Sequence, residues 1–267
     1  MSKLVNDIKR GDLANCILLH DFTIMQPDLT NWTEYVVSFF EQHNMVPKRI
    51  SSPARTSKKN INFNNGIRQL EKMKYQTNDI WIGALPPEHN SDMFCSIFTA
   101  FIFLGEKDYN NPLGPFCKLV FDNEIVPFDY IIMNRLAINL AKLTGAKYGY
   151  GYQRDFSKTV GYEFGTCSGL KFGDLEAELI SKWGRVYRKE GIYKTGDLRD
   201  VYGINYLSKA HIERIIKDKR LEDWIQSDSN NGILEQIDKD LWSWQVAPEQ
   251  ISPMREKLRD TGMILCC

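Results

Sequence analysis

A short glycine-flanked segment around a cysteine has the residue types that a covalent hydrolase would need. The run GTCSG at residues 165–169 matches the G-x-nucleophile-x-G pattern, in which a sharp turn exposes the nucleophile. Asp197, Asp200 and then His211 follow it, in the chain order that an α/β-hydrolase uses for its acid and base. One interpretation is therefore a cysteine hydrolase in which Cys167 is the nucleophile and His211 is the base.

The segments on either side of Cys167 do not fit a nucleophile elbow, which needs a buried parallel strand before the turn and a helix directly after it. Polar residues such as Lys158 and Glu163 interrupt the preceding segment, and glycines within residues 169–173 delay the next predicted helix. Glycines in an ordinary turn explain the match more simply. We therefore expect no catalytic site here and keep the hydrolase as the alternative function.

Two pairs of carboxylates could belong to a glycosidase or nuclease site. Glu176 and Glu178 lie two positions apart on a predicted helix, so their side chains point in different directions. Asp197 and Asp200 form the second pair, and solvated surface charge accounts for both pairs better. The chain contains no GxxxxGK(S/T) or GxGxxG loop that could hold a phosphate group.

The spacing of cysteines and histidines gives no support for a metal site. The 6 cysteines include no CxxC pair, and the 4 histidines include no HxH or HxxxH pair. A structural zinc site needs ligands that are spaced in this way. We expect reduced and mostly buried thiols, no bound metal and no cofactor.

The charge balance argues against several classes of partner. Lys and Arg number 34, as do Asp and Glu, so the chain lacks the basic excess typical of proteins that bind nucleic acids or anionic membranes. No apolar stretch approaches the roughly 18 residues that cross a bilayer. Residues 1–10 are charged and precede no apolar core, so we expect no secretory signal and a cytoplasmic protein.

Two segments could bind another protein. Residues 47–60 are polar and rich in Pro, Ser, Lys and Arg, which predicts a long exposed loop with Lys48 near its start. Residues 148–152 alternate tyrosine with glycine, which predicts a strand with three tyrosines on one face. The basic residues of the loop either are solvated or contact an acidic partner. The tyrosines either pack in the core or lie in an interface. The predicted contact residues are Arg49, Arg55, Lys58, Lys59, Tyr148, Tyr150, Tyr152 and Arg154.

Helices and strands alternate irregularly along the chain. The clearest helix is predicted over residues 128–143, with Pro127 at its start and Gly145 as its C-cap. Further helices are predicted over residues 32–44, 63–75, 174–188, 208–217, 221–226 and 249–260. Because no regular strand–helix cadence is present, the sequence predicts an α+β fold with a mainly antiparallel sheet. The length of 267 residues fits one compact domain, residues 1–267, with two similar halves at 1–145 and 146–267.

Several segments of the second half resemble a known protein family. They are residues 146–151 (AKYGYG), 198–208 (LRDVYGINYLS), 221–225 (LEDWI) and 241–246 (LWSWQV), preceded by Pro127-Phe128 at the start of a helix. A helix leading to a G-x-G strand, then a V-x-x-x-N-x-L segment, a helix and a final sheet is similar to the immunity proteins of bacterial polymorphic-toxin and type VI secretion systems. The resemblance covers residues 120–267. It implies a cytoplasmic protein, without chemistry of its own, that binds and blocks a cognate effector toxin.

Overall fold

The computed structural model describes residues 13–51, 60–88, 97–105, 114–155 and 191–265. Its strands are β1 (Leu13–Phe22), β2 (Val46–Ser51), β3 (Asn60–Asn62), β4 (Asp79–Leu85), β5 (Phe98–Phe103), β6 (Phe116–Asp122), β7 (Ala146–Asp155), β8 (Ile204–Leu207), β9 (Ile215–Ile216), β10 (Lys219–Arg220), β11 (Ile233–Asp238) and β12 (Leu241–Gln245). Its α-helices are α1 (Leu29–Gln42), α2 (Phe63–Lys72), α3 (Tyr130–Thr144), α4 (Lys209–Ile212), α5 (Leu221–Gln226) and α6 (Ile251–Arg259).

Ten of these strands form one large sheet, in the order β11-β12-β8-β7-β1-β6-β5-β4-β2-β3. All its neighbouring strands are antiparallel, which confirms the predicted α+β class with a mainly antiparallel sheet. Strand β1 lies between β6 and β7, where Leu18 is opposite Lys118 on one side and Tyr150 on the other. Because β1 comes from the first predicted half and β7 from the second, one continuous sheet runs through both.

Helices α1, α2 and α3 cover one face of this sheet. Trp32, Phe40 and Met133 of these helices have 0% exposure. They share one core with strand residues such as Ile82 and Leu119. The apolar positions of α1 and α3 recur at three- and four-residue spacing, so they form the stripe that faces the sheet. Each fully buried side chain of this size stabilises the fold by roughly 1.5–3 kcal/mol.

Residues 191–203, 208–226 and 246–265, which lie outside the strands of this sheet, pack on its opposite face, over β1, β7, β8 and β12. This second core joins Tyr150 of the sheet to Leu198 and Met254 of the covering segment. Leu198 also forms a parallel bridge with Ile264. The segment around Leu198 is therefore enclosed between the sheet and the last residues that the structure describes.

The two long helices differ in how well the sequence predicted their ends. Helix α1 begins three residues before the predicted start, because Asp28 caps it by accepting hydrogen bonds from the N–H groups of Thr30 at 2.9 Å and Asn31 at 3.1 Å. Helix α3 confirms the prediction: Asp129 caps its first turn, and Gly145 ends it with a left-handed φ of 71°.

Two other predictions are wrong. Residues 47–51, placed in the exposed loop, belong to strand β2, because Ile50 is buried in the core and its neighbours pair with β4. The helix predicted over residues 208–217 ends at Ile212. Lys217 and Asp218 then adopt left-handed φ values of 46° and 68°, which turn the chain back into the β9–β10 hairpin.

Candidate functional site

His211, the predicted base of the alternative hydrolase, has a structural role in the molecule. It lies on α4 with 1% exposure, and its ring stacks on Tyr148 at a centroid distance of 5.0 Å. Nδ1 accepts from the hydroxyl of Ser208 at 2.8 Å, and Nε2 donates to the carbonyl oxygen of Asp197 at 3.2 Å. Burial lowers the pKa of His211 to about 4. Both ring nitrogens are thus engaged in fixing the start of α4, and the ring is neutral at physiological pH.

Cys167 and the carboxylates Glu176 and Glu178 lie outside the described residues. The second carboxylate pair is described, and its members point to different partners. Asp197 accepts a hydrogen bond from Thr195 at 2.6 Å and forms an ion pair with Arg214. It is half-buried and ties the loop before α4 to the segment after it. The interpretation of Asp197 as solvated surface charge therefore holds only in part.

Asp200 corrects the surface-charge interpretation more clearly, because it is 2% exposed. Arg255 of α6 clamps it with two hydrogen bonds, Nε to Oδ1 at 2.7 Å and Nη2 to Oδ2 at 2.8 Å. The same carboxylate accepts the N–H of Val201 at 2.7 Å. Planar two-point pairing of this kind orients both groups, so the pair fixes α6 on the segment around Asp200.

The tyrosine row of β7 faces the interior. Tyr148 and Tyr150 have 0% exposure and Tyr152 has 5%. Tyr193 stacks on Tyr148 at 4.1 Å, and Tyr202 stacks on Tyr150 at 4.2 Å. The rings are thus the contact layer between the sheet and residues 191–203, which is the core-packing interpretation of the sequence. They offer a partner no exposed face.

Arg199 forms the centre of a buried polar cluster beneath this layer. Its backbone N–H donates to the Tyr148 hydroxyl at 2.8 Å, and its guanidinium donates to the Tyr150 hydroxyl. The guanidinium carbon also lies 5.2 Å from the centroid of the Tyr150 ring, within range of a cation–π contact. Since Arg199 is 0% exposed, its positive charge is solvated by these aromatic groups in place of water.

His20 of β1 completes the cluster from the sheet side. Its Nε2 lies 3.4 Å from the hydroxyl of Tyr150, whose oxygen accepts the hydrogen bond from Arg199. Burial, and then the charge of Arg199, lower the pKa of His20 to about 3. The imidazole of His20 is therefore neutral at pH 7, and Arg199, Tyr150 and His20 form a structural network.

Sequence reasoning missed both His20 and Arg199 as members of one cluster. His20 stands within an apolar strand, and Arg199 lies between Leu198 and an acidic residue in a segment with apolar flanks. A polar residue enclosed by apolar neighbours was the available signal, but it does not tell which other residue completes the hydrogen bonds.

Only part of the basic segment at residues 47–60 lies within the described residues. Arg49 lies half-buried on β2, opposite Asn62 of β3 and Gly83 of β4. Lys48 beside it donates to the carbonyl of Pro87 at 3.2 Å. Arg55, Lys58 and Lys59 lie outside the described residues. Arg154, the last predicted contact, is half-buried near the end of β7, opposite Ala14.

The described part of the chain contains no group of three or more His, Cys, Asp and Glu side chains arranged to hold a metal ion. Cys16 and Cys117 are buried, and burial raises the pKa of the Cys117 thiol. None of the helices within these ranges is long and apolar enough to span a membrane.

The fold is similar to that of the T6SS protein PA0821 of Pseudomonas aeruginosa. The similarity has a TM-score of 0.58 and 11% sequence identity, and it covers 95% of this chain and 73% of that chain. At so low an identity the similarity concerns the fold. The sequence matches no protein-family model and no curated protein.

Proposed function

We propose that this protein is a cytoplasmic immunity protein of a bacterial type VI secretion system, which binds a cognate effector toxin and neutralises it by complex formation. The observation that carries the proposal is the fold similarity to a T6SS protein over 95% of the chain. The sequence resemblance of residues 120–267 to type VI immunity proteins supports the same function independently of the fold.

The hydrogen bonds and ion pairs made by the titratable side chains support a binding function over a catalytic one. His211, Asp197 and Asp200 were the described residues with the types and order of an acid–base set, and all three hold local structure together. A general base for chemistry near neutral pH needs a pKa near 7 and a free nitrogen or oxygen. With its pKa lowered to about 4 and both nitrogens engaged, His211 meets neither requirement.

A neutralising protein must hold the toxin at a very low free concentration, which requires an affinity of about 1 nM or better. A continuous sheet with cores on both faces presents a preorganised surface, so little conformational entropy is lost on binding. Arg49, Arg55, Lys58, Lys59 and Arg154 remain the proposed electrostatic contacts. Positive charge at the rim of an interface speeds association with an acidic partner and makes it sensitive to salt.

The test is co-expression with a secreted effector, taken from the gene next to this one where that gene encodes such a protein. Cells that produce this protein should survive production of that effector, and the two proteins should copurify. Failure of this protein to restore growth, together with absence of a complex, would refute the proposed function. The basic contacts are tested by replacing Arg49, Arg55, Lys58 and Lys59 with Ala, which should slow association and flatten its salt dependence. Lys72→Ala with Lys74→Ala, at exposed positions at and just beyond the C-terminal end of α2, is the control and should leave the association rate unchanged.

A further inference from the structure

Strand β11 forms one end of the ten-stranded sheet, and β12 is its hydrogen-bonding neighbour. A strand at the end of a sheet carries N–H and C=O groups along its outer side that another chain can pair with. Its first residue, Ile233, is a large apolar side chain with 65% exposure. At the opposite end of the sheet, β3 has only 3 residues, whereas β11 has 6. Of the two ends, β11 therefore offers the longer edge.

The hydrogen-bond register shows which backbone groups of β11 point outward. The N–H of Val246 donates to the carbonyl of Gly203 at 2.9 Å, so alternate residues of β12, including Trp244, pair with β8. Ser243 and Gln245 therefore turn their backbone groups toward β11. Ser243 lies opposite Glu235 and Gln245 lies opposite Ile233, so the backbone groups of Glu235 and Ile233 form their hydrogen bonds with β12. The remaining residues of this ladder face the side of β11 on which the structure describes no strand.

Leu234 and Gln236 are those outward-facing residues. Their register partners on β12 are Trp244 and Trp242, whose backbone groups point to β8. The N–H and C=O of both residues are thus aligned for pairing with an added strand. An irregularity between Gln236 and Asp238 ends the regular ladder beyond them.

The side chains along this edge select the chemistry of an added strand. Asp238 and Asp240 are paired with Lys142 and Lys147, each at 3.6 Å. Glu235 is exposed, and no described residue forms an ion pair with it. A second copy that paired antiparallel with Leu234 opposite Gln236 would set two Glu235 carboxylates against each other, which is unfavourable. A strand with Lys or Arg beside Glu235 would instead complement it.

We propose that the open edge of β11 binds an extended, basic segment of a protein partner, which adds to the sheet as an eleventh strand. The backbone groups of Leu234 and Gln236 supply the hydrogen bonds, Glu235 selects a cationic side chain, and Ile233 adds apolar contact. The identity of this partner as the effector toxin rests on the proposed function, whereas the direction of the backbone groups does not.

The main test replaces Gln236 with Pro, which removes an outward N–H without removing a hydrogen bond to β12. Gln236→Ala is the matched control, because it shortens the side chain and keeps the N–H. With the purified effector of the neighbouring gene as the probe, Gln236→Pro should weaken the Kd by about tenfold or more, and Gln236→Ala by less than about threefold. Equal affinity of the two variants overturns the proposal. Circular dichroism and the unfolding midpoint establish that the Pro variant is folded.

A charge reversal tests the same edge without changing the backbone. In that second test, Glu235→Lys should weaken binding by about tenfold, while Glu71→Lys on α2, a similarly exposed position, should leave it unchanged. Amide hydrogen exchange gives a direct readout. In the free protein the N–H groups of Leu234 and Gln236 should exchange faster than those of Ile233 and Glu235, and the complex should protect the first pair. An effector that binds without protecting Leu234 and Gln236 refutes the edge site and leaves the proposed function intact. An effector that does not bind refutes the proposed function.

Discussion

The substitution Gly149→Ala should destabilise this protein strongly, although it adds only one methyl group. Gly149 lies in β7 between two buried tyrosines, directly opposite Leu19 of β1. A Cβ atom at this position would lie 2.4 Å from the carbonyl oxygen of Leu18 and 2.5 Å from Cδ2 of Leu19. The first of these atoms belongs to the backbone of a central strand, so it moves only if the pairing of β1 with β7 is disturbed.

The expected magnitude follows from two opposing effects. Overpacking a close-packed interior costs about 1–3 kcal/mol, and a contact with backbone places this site at the upper end of that range. Replacing Gly with Ala reduces the entropy of the unfolded chain, which contributes about 0.4–1 kcal/mol of stability. The free energy of unfolding should therefore fall by about 2–2.6 kcal/mol.

Gly151→Ala is the matched control, because it makes the same change two residues along the same strand. A Cβ there would meet Met133 Cε at 3.1 Å and Ile204 Cβ at 3.4 Å. The nearest atom is the far end of a flexible side chain, so the change should alter stability by less than about 1 kcal/mol.

Urea denaturation followed by tryptophan fluorescence measures both variants. With a slope of about 3 kcal/mol per molar urea, Gly149→Ala should lower the unfolding midpoint by about 0.8 M, and Gly151→Ala by less than about 0.3 M. A Gly149→Ala midpoint as high as that of Gly151→Ala would refute the argument, since it would show that β1 and β7 separate at little cost.

Three further predictions concern the buried polar groups. Tyr148→Phe should destabilise the fold by about 1–3 kcal/mol, because it leaves the buried backbone N–H of Arg199 without its acceptor. Tyr206→Phe should be neutral or stabilising, because no described residue forms a hydrogen bond with the Tyr206 hydroxyl. The midpoints of urea unfolding compare the two variants. Asp200→Asn should cost about 2–4 kcal/mol by breaking the two-point ion pair with α6, and a loss below about 1 kcal/mol would contradict a structural role for that pair. Both His20, with a pKa of about 3, and His211, with a pKa of about 4, are neutral in the fold and take up protons only on unfolding below the ordinary pKa of about 6.5. Stability should therefore fall as the pH drops through about 6.5, with a slope that approaches about 1.4 kcal/mol per pH unit for each histidine until the pH nears the pKa of that residue in the fold, and His211→Asn should reduce this slope.

Local sequence determined much of the secondary structure. The helix over residues 130–144 was predicted nearly to its ends, because an apolar stripe and a following glycine are local signals that need no tertiary partner. The alternation of tyrosine and glycine in β7 was likewise a local signal of a strand. The α+β class followed from the irregular order of such elements.

Tertiary structure decided what these elements do. Residues 46–51 carry a polar and basic sequence that is typical of a loop, and they form a strand because β4 supplies a pairing edge far away in the chain. The tyrosines of β7 could have faced solvent or core, and the segment around Arg199 settles this by covering them and donating to their hydroxyls.

The carboxylates and histidines show the same division most clearly. The types and chain order of Asp197, Asp200 and His211 suggested an acid–base set, but the partner of Asp200 is Arg255, at a separation of 55 residues that no local pattern encodes. Whether a titratable group is a reactive base or a buried structural contact depends on desolvation and on which hydrogen bonds are already made. Both are properties of the packed environment, so the sequence could name these residues, and only the tertiary structure could give them their roles.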